Sequence, residues 1–224
     1  MNTNSIFDRL LLLPLFQGLS REELIKIIES VKVEFISEPI HSTLLTQGQK
    51  ANHLIFLLQG TLQIKHTEPC GIEFIETLQA PSVLFPECMF GPQPYVSHTI
   101  QATTEVQLLS ITKHDLITRL IDFTTFRISI LNYLCHIAHS KSITKYTKFT
   151  PEQNFIYFLE RQFTNKNGYK EIVIKLQTLA DILNISRLNT SKMLHQLEKE
   201  QVLELKRGKI IIPQFEKLTS KAHF

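Results

Sequence analysis

Short apolar runs separated by turn residues dominate the stretch from residue 31 to residue 111. The runs are rich in β-branched, aromatic and aliphatic side chains, and they cover residues 31–36, 53–58, 61–66, 72–78, 98–102 and 106–111. Glycine-containing turn material such as Gln59-Gly60 lies between them. Many short strands with frequent turns are typical of antiparallel β architectures. The pattern therefore predicts an antiparallel sandwich, barrel or roll in the first half of the chain.

A helix is predicted just before this β-rich stretch, over residues 20–30. Ser20 is a candidate N-cap, and Glu23 follows three residues later in the capping-box arrangement. Leu24, Ile27 and Ile28 then recur at helical spacing.

Residues 113–146 are helical in pattern for an unusually long stretch. One set of positions is spaced alternately by four and three residues, as in a heptad seam, and consists of Phe126, Ile130, Tyr133, Ile137, Ser140 and Thr144. A second apolar set, which includes Ile128, Leu131 and Cys135, lies on other faces. A helix that is apolar on two sides can pack on its own domain and on a partner. We expect a homodimer contact through Phe126, Ile130, Tyr133 and Ile137; the alternative is a helix fully buried within one chain.

A separate C-terminal module is predicted to begin near residue 150. Thr150 can cap a helix, Pro151 suits its first turn, and Gln153 completes a capping box. The polar residues 139–150 read as a hinge before this module.

Residues 176–200 have the pattern of a helix-turn-helix. Leu179, Ala180 and Leu183 lie on one face of the first helix, and Ser186 can cap the second, after a turn of three residues. We expect the second helix to direct Leu188, Met193, Leu194 and Leu197 inward. Its outward residues at the start of the helix can donate to bases or phosphates in a major groove, and they are Arg187, Asn189, Thr190 and Lys192, with Ser186 beside them.

Two further short strands follow, joined by a basic turn at Lys206, Arg207 and Lys209. Basic residues on a tight turn suit a wing that grips the phosphate backbone, a contact that supports affinity without reading sequence. The alternative is a ligand-binding or protein-interaction module in which the winged helix docks a protein and the basic surface is incidental.

Charge and cysteine usage agree with this division. Residues 1–146 hold 11 basic and 13 acidic side chains, a net −2, whereas residues 147–224 hold 13 and 8, a net +5. A basic C-terminal module favours a polyanionic partner. The scattered cysteines, Cys70, Cys88 and Cys135, argue against disulfides and fit a reducing cytoplasm. The N-terminal apolar run is broken by Pro14 and is too short to span a membrane, so no membrane partner is expected.

Two segments carry a resemblance to a known family. Residues 44–64 read LLTQGQKANHLIFLLQGTLQI, and residues 179–212 read LADILNISRLNTSKMLHQLEKEQVLELKRGKIII. With them the chain resembles the Crp–Fnr superfamily of bacterial transcription regulators. Ser186, Arg187 and Lys192 match the family's recognition helix, whereas Leu188 stands where a glutamate is common, which implies a different half-site.

The resemblance implies an α+β fold with three parts. These are an N-terminal antiparallel β-roll of the double-stranded β-helix or jelly-roll type (residues 1–122), a long dimerisation helix with a hinge (123–146), and a C-terminal winged helix-turn-helix (147–224). The implied function is that of a homodimeric, sequence-specific regulator of transcription that binds double-stranded DNA, with RNA polymerase as a further partner. The roll would hold either a small-molecule effector, such as an apolar ligand, or no small ligand at all.

The resemblance also indicates an effector pocket, and the residues found there argue against cyclic AMP. Nucleotide-binding members have a Gly-Glu pair followed by Arg-Ser or Arg-Thr, where the glutamate holds the ribose and the arginine the phosphate. Here Glu87 and Cys88 follow a proline, and Ser97 and His98 follow Val96 at the second site. No arginine occurs between Arg21 and Arg119, so the roll has no guanidinium to clamp a phosphate.

Other cofactors and enzymatic activity are not expected. The N-terminal region lacks the cysteine cluster that would hold an iron–sulfur cluster. Haem would need an axial ligand such as Cys88, His53, His66 or His98, but a single such residue in a β-roll is more often packed or at the surface. The chain has no glycine-rich phosphate loop, no HExxH and no GxSxG motif, and no catalytic or metal site is assigned.

Overall fold

The computed structural model describes residues 8, 10–92, 94–142 and 149–221, with helical side chains described as far as residue 138 in the long helix. The chain divides into two compact units. The first comprises residues 1–63 and 78–142, and the second comprises residues 64–77 and 143–224. The predicted hinge at 139–150 lies largely outside the described residues.

The first unit is built on antiparallel strands, as predicted. Its strands are β1 (Val33–Glu38), β2 (Thr43–Leu45), β3 (His53–Gln59), β6 (Ser82–Leu84), β7 (Thr99–Ala102) and β8 (Val106–Thr112). One sheet has the order β1-β8-β3-β6, and β2 pairs with β7. Two further strands are β4 (Thr61–Thr67) and β5 (Glu73–Gln79), of which residues 64–67 and 73–77 are assigned to the second unit. The sequence pattern missed β2 and β6, because three residues are too few to show an alternation.

The helices of the first unit are α1 (Arg21–Ser30), α2 (Lys113–Thr118) and α3 (Thr124–Ser142). Short 3-10 turns lie at Pro14–Phe16, Pro86–Met89 and Leu120–Asp122. The predicted capping box of α1 is present, because the Glu23 N–H donates to Ser20 Oγ (3.2 Å) and the Ser20 N–H donates to Glu23 Oε2 (2.8 Å).

The long helix α3 packs on its own domain through the face that the sequence analysis assigned to a partner. Phe126 is 0% exposed, and its ring centroid lies 5.7 Å from that of Phe16 in the core of the first unit. Ile130 is buried in the same core, and Tyr133 packs against it. The interface assignment of Phe126 and Ile130 is therefore corrected, because these side chains already fill the core of their own chain.

The opposite face of α3 is apolar and open. Ile128 is 51% exposed and Leu131 is 54% exposed, and Cys135 is exposed on the same face. Ile137 is half-buried. The positions of Ile128, Leu131 and Cys135 are separated by three and four residues, which is the spacing of a heptad seam.

The second unit contains a winged helix-turn-helix. Its elements are α4 (Pro151–Gln162), β9 (Lys170–Val173), α5 (Leu176–Leu183), α6 (Arg187–Lys199), β10 (Glu204–Lys206), β11 (Lys209–Ile212) and α7 (Phe215–Thr219). The predicted capping box of α4 is present, with Thr150 and Gln153 exchanging both hydrogen bonds. Strands β5, β9, β11 and β10 are neighbours in one antiparallel sheet.

The strand β5 belongs to a segment that the sequence analysis placed in the N-terminal domain. Residues 73–76 pair with residues 170–173 of β9, so that Glu73 lies opposite Val173 and Glu76 opposite Lys170. Phe74 packs among aromatic rings of the second unit, with centroids 5.8 Å from Phe163. The second unit thus takes one strand of its sheet and part of its core from residues 64–77.

A buried ion pair joins these two strands. Lys170 is 0% exposed and Glu76 is 3% exposed, and Lys170 Nζ donates to Glu76 Oε2 over 2.9 Å. The N–H groups of Thr164 and Asn165 also donate to the Glu76 carboxylate, each over 3.0 Å. Burial lowers the pKa of Lys170, and the charge of Glu76 opposes this shift. Sequence reasoning missed this pair, since its members lie 94 positions apart.

Within the described residues, no helix combines the length and the apolar character that crossing a membrane requires.

Candidate nucleic-acid interface

Helices α5 and α6 form the predicted helix-turn-helix. Leu179, Ala180 and Leu183 of α5 are buried against α6. Asn184 ends α5 in the left-handed conformation (φ 55°), and its N–H donates to the carbonyl oxygens of the preceding turn. Asparagine tolerates this conformation better than most residues. The tight turn places Ser186 at the start of α6, as predicted.

The inward face of α6 differs from the prediction at Thr190. This residue was expected to face outward, but it is 0% exposed, and its Oγ1 donates to the carbonyl oxygen of Ser186 over 3.1 Å. Thr190, Met193, Leu194 and Leu197 form the buried stripe. These positions are related as i, i+3, i+4 and i+7, so helical spacing alone contained the signal. Thr190 is therefore withdrawn from the candidate DNA contacts.

Leu188, and not Thr190, faces the solvent. It was predicted to pack inward, but it is 64% exposed and lies among the exposed side chains of Arg187, Asn189 and Lys192. The first turns of α6 therefore present one apolar and three polar or basic side chains to solvent. An apolar side chain at this place can contact the methyl group of thymine in a major groove.

Ser186 is the N-cap of α6. Its Oγ accepts a hydrogen bond from the Asn189 N–H over 3.2 Å, which satisfies one of the free N–H groups of the first turn. The backbone at the start of α6 is thereby fixed, and with it the direction in which Arg187 and Leu188 leave the helix.

The wing is a hairpin of β10 and β11. Lys206 and Lys209 lie opposite each other in the ladder, and the two residues between them, Arg207 and Gly208, form the turn. Gly208 has a positive φ of 76°, a conformation that favours glycine. Arg207 is exposed at the tip and makes no ion pair within the described part of the chain. It is thus the wing residue whose charge is available to a phosphate.

The other two basic residues of the wing already have acidic neighbours. Lys209 Nζ donates to Glu171 Oε1 over 3.0 Å, and Lys206 Nζ lies 4.0 Å from Glu204. Burial would raise the pKa of Glu171, but hydrogen bonds from Tyr169 and Lys209 outweigh it and hold the pKa below its usual value. Burial, together with the hydrogen bond to Glu171, raises the pKa of Tyr169 to about 12. Glu171 is therefore a carboxylate that offsets part of the charge of the wing.

The candidate effector residues of the first unit are partly brought together. Cys88 Sγ lies 3.3 Å from Ser97 Oγ, which lies 2.6 Å from His98 Nδ1. The ring of Phe85 stacks on His98 with centroids 4.2 Å apart. These contacts connect a thiol, a hydroxyl and an imidazole beside the 3-10 turn at Pro86–Met89.

Glu87 lies close to Tyr133 of α3. Burial raises the pKa of the Tyr133 hydroxyl, and the nearby charge of Glu87 raises it further. Val96, which together with Ser97 was expected from the resemblance to stand at the arginine position, is buried in the apolar core. The cavity lined by Lys50, Cys88 and Val96 has a volume of about 30 Å³.

Two family models match the sequence. Residues 39–121 match the model of the cyclic nucleotide-binding domain, and residues 154–221 match that of the Crp-like helix-turn-helix domain. No curated protein sequence matches the chain.

The chain is similar to solved structures at low identity. The sensor domain of the transcriptional regulator DNR from Pseudomonas aeruginosa is 23% identical with a TM-score of 0.52, over 64% of this chain and 95% of that domain. The catabolite activator protein of Thermus thermophilus is 19% identical with a TM-score of 0.48, over 93% of this chain and 98% of that one. The longer DNR structure is 22% identical with a TM-score of 0.46, over 95% and 96% of the two chains.

Proposed function

We propose that this chain, a member of the Crp–Fnr family of transcription regulators, binds a specific duplex DNA site as a homodimer without cyclic AMP. It belongs to that family because it joins a cyclic nucleotide-binding domain to a Crp-like helix-turn-helix domain.

The observation that carries the proposal is the exposed face at the start of α6. Arg187, Leu188, Asn189 and Lys192 all leave the helix on the solvent side, while the opposite stripe is buried. Guanidinium and amide groups read guanine and adenine edges, and an apolar side chain reads the thymine methyl group. Arg207 at the wing tip adds a charge suited to a phosphate.

A homodimer is supported by the open face of α3. Ile128, Leu131 and Cys135 form an exposed apolar seam at heptad spacing, while Phe126 on the opposite side fixes the helix to its own domain. A second copy that buries this seam would bring two recognition helices to one DNA duplex. Two half-sites about one helical turn (~34 Å) apart would then form a palindromic site.

Independence from cyclic AMP is supported by the residues and the space in the roll. A cavity of about 30 Å³ holds a water molecule, whereas pockets for ligands of ordinary size run from about 300 Å³ upward. The side chain of Val96 is aliphatic and buried, and the roll has no arginine to bind the cyclic phosphate.

Selection from a random pool of duplex DNA, with and without cyclic AMP, tests the proposal as a whole. We expect one palindromic motif under both conditions. A motif that appears only with cyclic AMP would overturn the pocket argument. The absence of any motif, together with DNA binding that is unaffected by Arg187→Ala, would favour a protein-docking role for the winged helix.

Two arginine variants separate the roles of helix and wing. Arg187→Ala is expected to weaken binding to the selected site by about 1–3 kcal/mol and to leave random DNA nearly unaffected. Arg207→Ala is expected to weaken both equally and to reduce the salt slope by about one. Lys166→Ala is a control within the second unit, since Lys166 pairs with Glu160 (3.8 Å) away from α6 and the wing. Equal effects of both arginine variants on both kinds of DNA would refute these assignments.

Cysteine cross-linking tests the dimer seam. In a chain carrying Cys70→Ser and Cys88→Ser, a short bismaleimide should join two chains through Cys135. Leu131→Glu should abolish cross-linking and dimerisation, because a charge would be buried at the seam. His136→Glu is the control, because His136 is also exposed but lies about 100° around the helix from Cys135, so both should stay unchanged. A dimer that survives Leu131→Glu would place the interface elsewhere.

A further inference from the structure

The second unit contains a cavity that DNA binding does not explain. It lies between α5, α6 and the wing and has a volume of about 200 Å³. Its floor is aliphatic and consists of Ile174, Leu176, Leu179, Leu194, Leu205 and Ile210. An apolar cavity of about 150 Å³ in a protein core is large enough for benzene, so this one has room for a single ring or a branched aliphatic group.

The rim of the cavity is basic. Lys175, His195, Lys206 and Lys209 line it, and none of its lining residues is acidic. Lys206 and Lys209 have carboxylate neighbours further out on the sheet, whereas Lys175 makes no ion pair within the described residues. The His195 ring is held in place at the rim, since its Nδ1 lies 2.8 Å from the carbonyl oxygen of Ser191. An apolar floor under a basic rim is complementary to an amphipathic anion.

The start of α5 adds donors on the same side. Lys175 and Leu176, the N-cap and first residue of this helix, both line the cavity. None of the side chains that the structure describes caps the helix there, so its first N–H groups are available to an acceptor. The partial positive charge of a helix N-terminus favours a carboxylate over a neutral group.

We propose that this cavity binds a small aromatic or branched aliphatic carboxylate. The apolar group would lie on the leucine and isoleucine floor, and the carboxylate would lie beside Lys175 at the N-terminus of α5. The ligand would contact both Ser191 of the recognition helix and Leu205 of the wing, so occupancy would alter the spacing of two DNA-contacting elements. The site is formed by the second unit alone, and ligand binding can be measured without DNA.

NMR titration of the isotopically labelled full chain with benzoate tests the proposal. We expect saturable shifts and intermolecular NOEs from the ring protons to the methyl groups of Leu179, Leu194 and Leu205. Acetate lacks the ring and benzylamine reverses the charge, so neither should reproduce these NOEs at equal ionic strength. If acetate produces the same shifts, the helix N-terminus binds any anion and the cavity is not a ligand site.

Two variants with a matched control locate the site. Ser191→Leu adds a side chain at the cavity wall and should weaken benzoate binding by about tenfold or more, because it removes the space in which the ring is buried. Lys175→Gln should weaken benzoate binding while leaving that of neutral benzyl alcohol unchanged. Gln196→Leu makes the same kind of change on the exposed side of α6 and should have no effect. Unchanged benzoate binding in Ser191→Leu, or no binding in the parent chain, would overturn the proposal.

Discussion

Removing the charge of Glu76 should destabilise the second unit more than removing that of Lys170. Glu76 accepts from Lys170 and from two backbone N–H groups. Lys170 has Glu76 as its hydrogen-bonded partner, faces the rings of Phe163 and Phe215 at 5.4 and 5.8 Å, and is also acted on by the charge of Glu216. Glu76→Gln leaves a buried ammonium without its hydrogen-bonded counter-charge and turns one carboxylate oxygen into a donor. Breaking a buried pair in this way costs about 3–5 kcal/mol. Lys170→Met leaves a carboxylate that still has two donors, so its cost should be smaller, about 1–3 kcal/mol.

The effect of Glu76→Gln should also depend on pH. Burial lowers the pKa of Lys170 in the folded chain, so between that pKa and the usual value near 10.5 the unfolded chain binds more protons. The free energy of unfolding therefore rises with pH in this window. Without Glu76 the pKa of Lys170 falls further, because the opposing carboxylate charge is gone. The pH window then extends to lower pH. Glu76→Gln should therefore lower the free energy of unfolding by less at pH 9 than at pH 7.

Hydrogen exchange of the backbone amides of β5 and β9 is the suitable assay. Exchange from residues 73–76 and 170–173 should accelerate by about two to three orders of magnitude in Glu76→Gln at pH 7, if opening of this sheet limits protection. The exchange of β1 and β8, in the first unit, serves as the internal control. Equal acceleration in Lys170→Met and Glu76→Gln, or a Glu76→Gln cost that does not shrink at pH 9, would refute the reasoning.

Three further predictions concern single positions. Leu188→Ala should leave the free energy of unfolding unchanged and weaken only sites with thymine at one position; a loss of about 2–5 kcal/mol in stability would mean that Leu188 is a core residue. Ser186→Ala should cost about 1 kcal/mol, whereas Ser186→Asp should keep the cap but weaken binding to all DNA, as measured by urea unfolding and binding assays. Gly60→Ala should destabilise the first unit more than Gly48→Ala does. A Cβ at Gly60 would lie 2.5 Å from the Glu105 carbonyl oxygen, whereas a Cβ at Gly48, which has a similar φ, would meet nothing within 4 Å. Equal melting temperatures of the two variants would contradict this prediction.

The sequence by itself determined the longer elements and their order, but not short strands such as β2 and β6. Both predicted capping boxes, at Ser20 and Thr150, are present, since a capping box involves residues only three positions apart. The longer strands and the helix-turn-helix were also predicted, because alternation and helical spacing are local properties of the chain. The fold class was implied by the family resemblance of residues 44–64 and 179–212, and the two family models match the regions that contain these segments.

Only the tertiary structure decided which of two apolar faces is covered. On α3, the faces of Phe126 and of Leu131 are both apolar, and the core around Phe16 covers only the first. On α6, by contrast, helical spacing already indicated that Thr190 is buried and Leu188 exposed, although hydrophobicity alone favours the reverse. The pairing of β5 with β9 was not predictable, since the partners of a strand come from distant parts of the chain and periodicity carries no information about them. Local patterns determine whether a segment can bury a face, but the neighbours that the fold brings to it determine which face is buried.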